Sequence, residues 1–232
     1  MKNINLDTVI LAGGLGTRLK TVLKDKPKCL APINGKLFID ILLDHCIDQG
    51  LRRFIICVGH MKEQIIMHLS NRKDCEIVFS DEGEPLGTGG AIKNAYEYIK
   101  GDSFIAMNGD SFIDFEIKAL AKNKKEYLLS ILLYKDRNNL DFGSVKLDER
   151  GFILEFDEKK NNSNEIYLNS GRYYFSKEIF NYFPDKRSFS LEKEIFPDLV
   201  KKYKINSLVI NKPSFDIGTP ERYALFKKSF LR

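Results

Sequence analysis

The sequence predicts an α/β fold built on a doubly wound, mostly parallel mixed sheet. Short apolar runs, which suit buried strands, alternate with longer segments whose apolar residues recur at helical spacing. The chain of 232 residues is long enough for one large domain, and its 43% of hydrophobic residues can fill a sizeable core. Alternation of this kind favours parallel strands that are joined by helical crossovers.

The first part of the chain supplies the regular alternation. The run "TVILA" (residues 8–12) predicts a buried strand that ends at a glycine. The segment "FIDILLDHCIDQG" (residues 38–50) predicts an amphipathic helix that stops at Gly50. Further strands are predicted at 54–59, 76–80, 103–110 and 127–134, and further helices at about 61–70 and 88–99.

After about residue 136 the pattern changes. "SVKLDERGFILEF" predicts a hairpin whose turn spans 148–151, and "EIYLNSGRYYF" predicts another strand. A helix is predicted at 191–202, a strand at 208–210, and a last helix with Thr219 as its N-cap and Pro220 as its first residue. No stretch rich in proline, glycine or serine divides the chain, so residues 1–232 are predicted to form a single domain.

The composition limits the classes of function. There are 37 basic and 32 acidic residues, and this net charge of +5 without a concentrated basic face suits an anionic small substrate and argues against a nucleic-acid partner. No apolar stretch approaches the roughly 20 residues of a membrane span, and no signal peptide is present, so no membrane partner is expected. The four cysteines form no C-x-x-C pair and the three histidines lack zinc-ligand spacing, which predicts reduced cysteines and a cytoplasmic protein.

A glycine-rich segment follows the first predicted strand. Gly13–Gly16 places consecutive backbone amides at the carboxyl end of the sheet, where such folds bind phosphate. Neither the dinucleotide spacing G-x-G-x-x-G nor the P-loop spacing G-x-x-x-x-G-K-[ST] is present. A turn without a ligand is the alternative, but it does not explain the two nearby cations, Arg18 and Lys28. These cations would neutralise a nucleoside triphosphate.

Six motifs in a fixed order carry a family resemblance along nearly the whole chain. They are "LAGGLGTRL" followed by "PK", "EPLGTGGAI", "NGDSF", "FDEK", "NSGRYYF" and "FDIGTPERY". In these motifs the chain resembles the sugar-1-phosphate nucleotidyltransferases. The resemblance implies a Rossmann-like nucleotidyltransferase fold with a nucleotide-binding half at about 1–136 and a sugar-binding half at about 137–232. It also implies attack of a sugar 1-phosphate oxygen on the α-phosphorus of a nucleoside triphosphate, with release of pyrophosphate.

The same resemblance implies a role for individual residues. The implied catalytic residues are Arg18, Lys28 and Asp110; the nucleotide-binding residues are Leu11, Gly13, Gly14, Gly16, Thr17, Gly87 and Thr88; the sugar-phosphate-binding residues are Gly143, Glu158, Lys159 and Asn169; and the ligands of Mg²⁺ are Asp110 and Asp216. Lys160 competes with Lys159 for the sugar phosphate. Hard carboxylate oxygens suit Mg²⁺, although an aspartate that follows a strand also commonly serves as a turn or cap residue.

One departure from the family pattern concerns the substrate. Many members read R-L-x-P-L-T before the P-K, whereas this chain reads "RLKTVLKDKPKCLAP" with the same spacing. This segment is similar to that of bacterial guanylyltransferases acting on D-glycero-α-D-manno-heptose 1-phosphate. The resemblance therefore implies GTP and this heptose phosphate as substrates, a GDP-heptose as product, and a place in capsule or surface polysaccharide synthesis.

Several alternatives stay open at this point. Within the class, the chain could act on mannose 1-phosphate with GTP, or on a hexose 1-phosphate with a uridine or thymidine triphosphate. A non-catalytic sugar-nucleotide sensor would be expected to lack Arg18, Lys28 or an aspartate, and none of these is lost. Relatives form dimers or tetramers, so a homo-oligomer is compatible with the resemblance.

Overall fold

The computed structural model describes residues 4–122, 127–136, 144–157 and 167–230. The strands in these residues are β1 (Asp7–Leu11), β2 (Pro32–Ile33), β3 (Lys36–Leu37), β4 (Arg53–Val58), β5 (Glu76–Asp81), β6 (Ser103–Asn108), β7 (Ser111–Ile113), β8 (Leu129–Lys135), β9 (Ser144–Leu147), β10 (Phe152–Asp157), β11 (Tyr167–Ser176), β12 (Ile205–Ile210) and β13 (Ser214–Asp216). The helices are α1 (Lys20–Leu23), α2 (Phe38–Asp48), α3 (Lys62–Leu69), α4 (Gly87–Asn94), α5 (Ile117–Leu120), α6 (Phe196–Leu199) and α7 (Pro220–Ser229).

The main sheet has the strand order β5-β4-β1-β6-β11-β8-β12-β10-β9. Parallel pairs join β1 to β4 and β6, β4 to β5, and β8 to β12. The strands β11 and β10 run against their neighbours, β11 beside β6 and β8, and β10 beside β12 and β9. The predicted doubly wound, mostly parallel mixed sheet is therefore confirmed.

The order of the strands reverses beside β1. From β1 the chain moves outward to β4 and β5, and it then returns to β6 on the other side of β1. Folds of this type bind ligands at the carboxyl ends of the strands that flank such a reversal. The backbone amide of Gly109 donates to the carbonyl of Leu11 at 2.9 Å, so the segments after β1 and β6 lie side by side.

Helices cover both faces of the sheet because successive side chains of each buried strand point to opposite faces. Ile10 packs on the face that carries Leu42 of α2, whereas Val9 packs on the face that carries Ile92 of α4 and Phe196 of α6. A third apolar cluster joins the start of α2 to α7. This last cluster anchors the end of the described chain beside the glycine loop.

Two predicted elements differ from the structure. The helix predicted at 191–202 is present but is shorter and irregular: a π-helical turn (Leu191–Ile195) leads into α6, which ends at Leu199. Pro197 explains the change, because it has no amide hydrogen and its ring excludes the interior of a regular helix. The second difference is a bulge in β11, which pairs Asn169 with Leu133 and then Tyr173 with Ile131.

The final helix begins as predicted. Thr219 precedes α7 and its hydroxyl accepts the backbone amide of Arg222 at 3.4 Å, and Pro220 is the first residue of α7. The predicted hairpin is also present as β9 and β10. No helix in the described ranges is both long and apolar enough to cross a membrane.

Candidate active site

A cleft of about 310 Å³ opens at the carboxyl ends of β1 and β6. Its lining residues are Leu11, Ala12, Gly14, Leu15, Gly16, Thr17, Arg18, Lys28, Cys29, Gly109, Asp110 and Gly218. Most of the predicted catalytic and nucleotide-binding residues therefore lie together in one cleft.

The loop after β1 offers hydrogen-bond donors to a ligand. Within the ranges that the structure describes, the backbone amides from Gly13 to Thr17 donate to no protein acceptor. The base of the loop is fixed, since the amide of Ala12 donates to the carbonyl of Cys57 at 3.0 Å. Unpaired amides at the carboxyl end of a strand attract anionic oxygens, so this loop suits phosphate groups.

The two predicted cations differ in their surroundings. Arg18 is exposed on a short 3₁₀ turn, and its guanidinium has no hydrogen-bond or ion-pair partner in the described part of the chain. Lys28 has only 14% of its side chain exposed, and its Nζ lies 2.7 Å from Oδ2 of Asp110. Arg18 is therefore free to meet an incoming phosphate, whereas Lys28 is held against a carboxylate.

The two predicted metal ligands come together through a small second sheet. Strand β7 pairs with β13 in antiparallel fashion so that Ser111 lies opposite Asp216, and the amide of Ile217 donates to the carbonyl of Asp110 at 2.9 Å. Oδ2 of Asp216 also lies 3.2 Å from Nη1 of Arg222. Asp216 thus pairs with the residue that follows Asp110, so the carboxylates of Asp110 and Asp216 lie at the same end of the β7–β13 pair.

The donor set fits Mg²⁺ better than a softer metal. Among the residues that the structure describes, no group of three or more His, Cys, Asp and Glu side chains could hold a metal ion. Mg²⁺ is commonly bound through one or two carboxylates, with waters and substrate phosphates as its other ligands. Asp110 and Asp216 supply that kind of incomplete oxygen set beside the glycine loop.

Gly218 is a site residue that the sequence analysis did not single out. A Cβ at this position would lie 2.5 Å from Oδ1 of Asp216, 3.4 Å from Nζ of Lys28 and 3.8 Å from Nη2 of Arg18. Only a residue without a side chain leaves room where these three charged groups meet. Its position in "FDIGTPERY", two residues after Asp216, is the sequence signal that could have indicated this.

Glu82 is a second residue that the sequence analysis missed. It follows β5 directly and is 6% exposed, and among the described residues its carboxylate accepts a single long hydrogen bond, from the amide of Leu86 to Oε2 at 3.4 Å. A Cβ on Gly13 would lie 2.1 Å from Oε1 of Glu82, so the carboxylate packs against the start of the glycine loop. Burial raises the pKa of this carboxyl above its usual range. A buried carboxylate at the carboxyl end of a parallel strand, with no cation beside it among the described residues, is a feature of a ligand site.

The predicted nucleotide-binding residues Gly87 and Thr88 lie at the start of α4, outside the cleft lining. Two of the first four amides of α4 are occupied, because those of Gly89 and Gly90 both donate to the carbonyl of Phe189, at 3.0 and 3.2 Å. Gly87 is exposed, and the Thr88 hydroxyl donates to Oε2 of Glu192 at 2.6 Å. The amides of Gly89 and Gly90 are thus unavailable to a phosphate, and the contact of Gly87 and Thr88 with the base and ribose of a nucleotide stays a prediction.

Of the predicted sugar-phosphate residues, the structure describes Asn169. Both polar atoms of its amide are engaged: Oδ1 accepts the amide of Gly171 at 2.9 Å, and Nδ2 donates to the hydroxyl of Tyr173 at 3.0 Å. Three other predicted positions and one competitor lie outside the described residues, namely Gly143, Glu158, Lys159 and Lys160.

Arg172 is a fully buried arginine behind the aspartates. Its guanidinium donates to the hydroxyl and carbonyl of Ser111 and to the carbonyl of Ser170. Burial lowers its pKa to about 10, so the side chain stays charged at neutral pH. The bonds to Ser111 hold the residue that follows Asp110. A charged residue inside the apolar strand "NSGRYYF" was the available sequence signal.

Comparison with known proteins agrees with this geometry. A model of the nucleotidyl transferase family matches residues 7–230. D-glycero-alpha-D-manno-heptose 1-phosphate guanylyltransferase of Campylobacter jejuni is 36% identical over 223 residues, covering 95% of this chain and 98% of that protein. The catalytic subunit beta of mannose-1-phosphate guanylyltransferase from Drosophila melanogaster is 30% identical over 93% of this chain and 60% of that protein.

Solved structures give the same result. The crystal structure of HddC from Yersinia pseudotuberculosis superimposes with a TM-score of 0.86 at 35% identity, covering 97% of this chain and 99% of that chain. A second structure of HddC, complexed with GMP-PN, gives a TM-score of 0.85. The chain therefore belongs to the nucleotidyl transferase family, and the predicted fold and enzyme class are confirmed.

Proposed function

We propose that this protein transfers a guanylyl group from GTP to D-glycero-α-D-manno-heptose 1-phosphate. Pyrophosphate and a GDP-heptose are the products. The observation that carries the proposal is the meeting of Arg18, Lys28 and the Asp110–Asp216 pair beside unpaired loop amides. The substrate assignment is supported by the activity that the C. jejuni relative's name gives and by the complex of HddC with GMP-PN.

The proposed chemistry is a direct displacement at the α-phosphorus. An oxygen of the sugar phosphate forms the new bond while the bond to the bridging oxygen of the β-phosphate breaks. Two anions must meet, so charge neutralisation and alignment supply most of the rate enhancement. Arg18 and the loop amides would bind the phosphates. Burial raises the pKa of the Cys29 thiol to about 12, so the one cysteine in the cleft is unsuited to act as a covalent nucleophile.

Asp110 and Asp216 would hold Mg²⁺ in this reaction. When bound, the ion would neutralise part of the charge on the triphosphate. Lys28, which is held against Asp110, would keep a second positive charge at the same place.

Glu82 supports guanine over uracil or thymine. The Watson–Crick edge of guanine presents two adjacent donors, N1–H and the exocyclic amine, and an ionised carboxylate accepts both. Uracil and thymine present one N–H between two carbonyl oxygens, and a carbonyl oxygen facing the buried carboxylate would be repelled. A base whose edge meets Glu82 beside Gly13 would therefore be guanine.

The deciding experiment measures pyrophosphate release by the purified protein with Mg²⁺. GTP, UTP, dTTP and CTP are each paired with the heptose phosphate and with mannose 1-phosphate. The highest kcat/KM is expected for GTP with the heptose phosphate, and mannose 1-phosphate should be used less well. A pyrimidine triphosphate that wins with a hexose 1-phosphate would overturn the substrate assignment, and no release with any pair would overturn the reaction.

A matched pair of variants tests the base assignment. Glu82→Gln replaces two acceptors by one acceptor and one donor, so the preference for GTP over UTP should fall about 10²-fold. Glu84→Gln is the control, because Glu84 is 63% exposed in the same segment and pairs with Arg187 at 2.9 Å. An unchanged preference in Glu82→Gln would remove Glu82 from base recognition.

Mannose 1-phosphate is the second candidate acceptor. The similarity to the mannose enzyme of D. melanogaster supports it. The extra hydroxymethyl carbon of the heptose is worth only about 1–3 kcal/mol of discrimination unless a buried polar group would lose its partner. Replacing Asn169 or Glu158 should narrow the gap between the two sugars if these residues bind the extra hydroxyl.

The remaining parts of the proposal concern organisation. We propose that residues 1–232 act as one domain with its sugar-binding half after about residue 136, which the position of β11 between β6 and β8 supports. The four cysteines are free, which supports a reducing compartment such as the cytoplasm. Light scattering of the purified protein tests whether it forms a homo-oligomer.

A further inference from the structure

A chain of hydrogen bonds runs from Thr88 to Asn169. The Thr88 hydroxyl donates to Oε2 of Glu192 at 2.6 Å, and the Tyr173 hydroxyl donates to Oε1 of the same carboxylate at 3.0 Å. Nδ2 of Asn169 then donates to the Tyr173 hydroxyl at 3.0 Å. The chain joins α4, the π-helical turn and β11, three elements that are far apart in sequence.

The direction of every bond in this chain is fixed by chemistry. An ionised carboxylate accepts only, so Thr88 and Tyr173 must both donate to Glu192. The Tyr173 oxygen is thereby left as an acceptor for Asn169. Tyr173 is fully buried, and burial raises the pKa of its hydroxyl well above the usual range, so this donor stays protonated.

The chain also fixes the orientation of the Asn169 amide. Its nitrogen must face Tyr173 and its oxygen must face the amide of Gly171, so the side chain cannot turn over. The second amide hydrogen and one lone pair of Oδ1 are left for a ligand. On the opposite side, the Thr88 hydroxyl accepts the amide of Leu191 at 2.9 Å, which ties the start of α4 to the π-helical turn.

We infer that Tyr173 and Glu192 are positioning residues that hold Asn169 and Thr88 in one frame. The inference rests on the proposed function and on the predicted roles of Asn169 toward the sugar phosphate and of Thr88 toward the nucleotide. The π-helical turn has a part in this arrangement, because it carries Glu192 at its second residue. The bridge would align the two substrates before they react.

The variant Tyr173→Phe removes one hydroxyl from the middle of the bridge. Asn169 then loses its acceptor and is free to turn, so KM for the sugar phosphate should rise about 10-fold and kcat should fall by up to about 10². KM for GTP should stay within about 2-fold, because Thr88 keeps its bond to Glu192. A general loss of packing would not separate the two substrates in this way.

Tyr174→Phe is the matched control. Tyr174 is the next residue of β11, is 1% exposed, and packs on the opposite face of the sheet from Tyr173. This variant also removes a hydroxyl from a buried side chain. We expect KM for the sugar phosphate, KM for GTP and kcat to stay unchanged. Glu192→Gln is a second variant. The glutamine side chain has one acceptor oxygen, which cannot accept from both Thr88 and Tyr173. We therefore expect KM to rise for both substrates.

Calorimetry gives a readout that does not depend on turnover. Binding of the sugar phosphate alone should weaken about 10-fold in Tyr173→Phe and stay unchanged in Tyr174→Phe. An active wild-type enzyme with equal constants in the two phenylalanine variants would overturn this inference and leave the proposed function standing. A wild-type protein that uses no pair of substrates would overturn both.

Discussion

At the scale of single residues, Arg18 and Lys28 show how two cations in one cleft differ in availability. Lys28 is partly neutralised by Asp110, whereas Arg18 has no partner in the described ranges and lies beside the loop amides. Charge that develops on the phosphates during the reaction would therefore be met first by Arg18. A planar guanidinium presents a fixed fork of N–H donors to two phosphate oxygens, a geometry that an ammonium does not offer.

Arg18→Ala should consequently lower kcat more than it raises KM for GTP, and Arg18→Lys should restore activity only in part. Steady-state rates of pyrophosphate release across a GTP titration give both constants. If kcat is unchanged and KM is raised, Arg18 contributes to binding alone.

The buried carboxylate of Glu82 makes stability depend on pH. Its pKa is raised in the folded protein, so folding favours the protonated form and stability is lost as pH rises through the folded pKa. Glu82→Gln has no such loss. Its melting temperature should exceed that of the wild type by more at pH 8 than at pH 5, as measured by calorimetry without ligand.

Glu84→Gln controls for the loss of a negative charge from the same segment. The difference in melting temperature between Glu82→Gln and the wild type should widen as pH rises. If it does not, the direction of this pKa shift is contradicted.

Site residues that belong to a sequence motif could be predicted. Site residues that are recognised only by a tertiary contact could not. The motifs that carry the family resemblance contain Arg18, Lys28, Asp110 and Asp216. Glu82 becomes notable only when β5 and the glycine loop are placed side by side, which no local pattern determines.

At the scale of elements, α4 is held by the segment that precedes the π-helical turn. The carbonyl of Phe189 accepts two amides of α4, and a Cβ on Gly90 would lie 2.2 Å from the carbonyl oxygen of Arg187. This contact is with backbone, which cannot turn aside as a side chain can. The glycines of "GTGG" therefore serve the packing of α4 against this segment.

Gly90→Ala should destabilise the protein by about 1–3 kcal/mol through overpacking, which lowers the melting temperature by several degrees. Helix propensity alone predicts the opposite sign, since alanine favours a helix over glycine. Gly14→Ala is the control for melting temperature, because no atom lies within 4 Å of its added Cβ. An unchanged or raised melting temperature in Gly90→Ala would show that the segment moves aside.

Elements were predictable from the apolar pattern, and their irregularities were not. The apolar runs correctly predicted the central strands, because burial on both faces leaves a continuous apolar signature. The π-helical turn and the bulge of β11 arise from Pro197 and from the change of partner along β11, and neither alters the apolar pattern.

At the scale of the whole molecule, the candidate metal site depends on two strands that are distant in sequence. Asp110 follows β6 and Asp216 ends β13, and only the β7–β13 pair brings them together. Either aspartate alone could serve as a turn residue. Because the two lie close together, a shared role in binding Mg²⁺ can be tested.

Asp110→Asn and Asp216→Asn should each lower turnover by about 10²–10³, the effect expected when one electrostatic stabiliser is lost. The double variant should lose less than the product of the two effects, because both residues act at one site. Rates are measured across a Mg²⁺ titration, with melting curves to exclude unfolding. Normal turnover of both single variants at limiting Mg²⁺ would contradict the assignment.

The position of β11 has a consequence for how the chain is made. Four strands, β5, β4, β1 and β6, can assemble from the first part of the chain, but the free edge of β6 has no partner until β11 has been synthesised. Strand β8 emerges earlier than β11 and must wait for it, because β11 separates β8 from β6. A nascent or truncated chain that ends before Tyr167 would thus carry an open parallel-sheet edge, which is a template for aggregation. The enzyme's yield in a cell would then depend on how quickly synthesis passes β11.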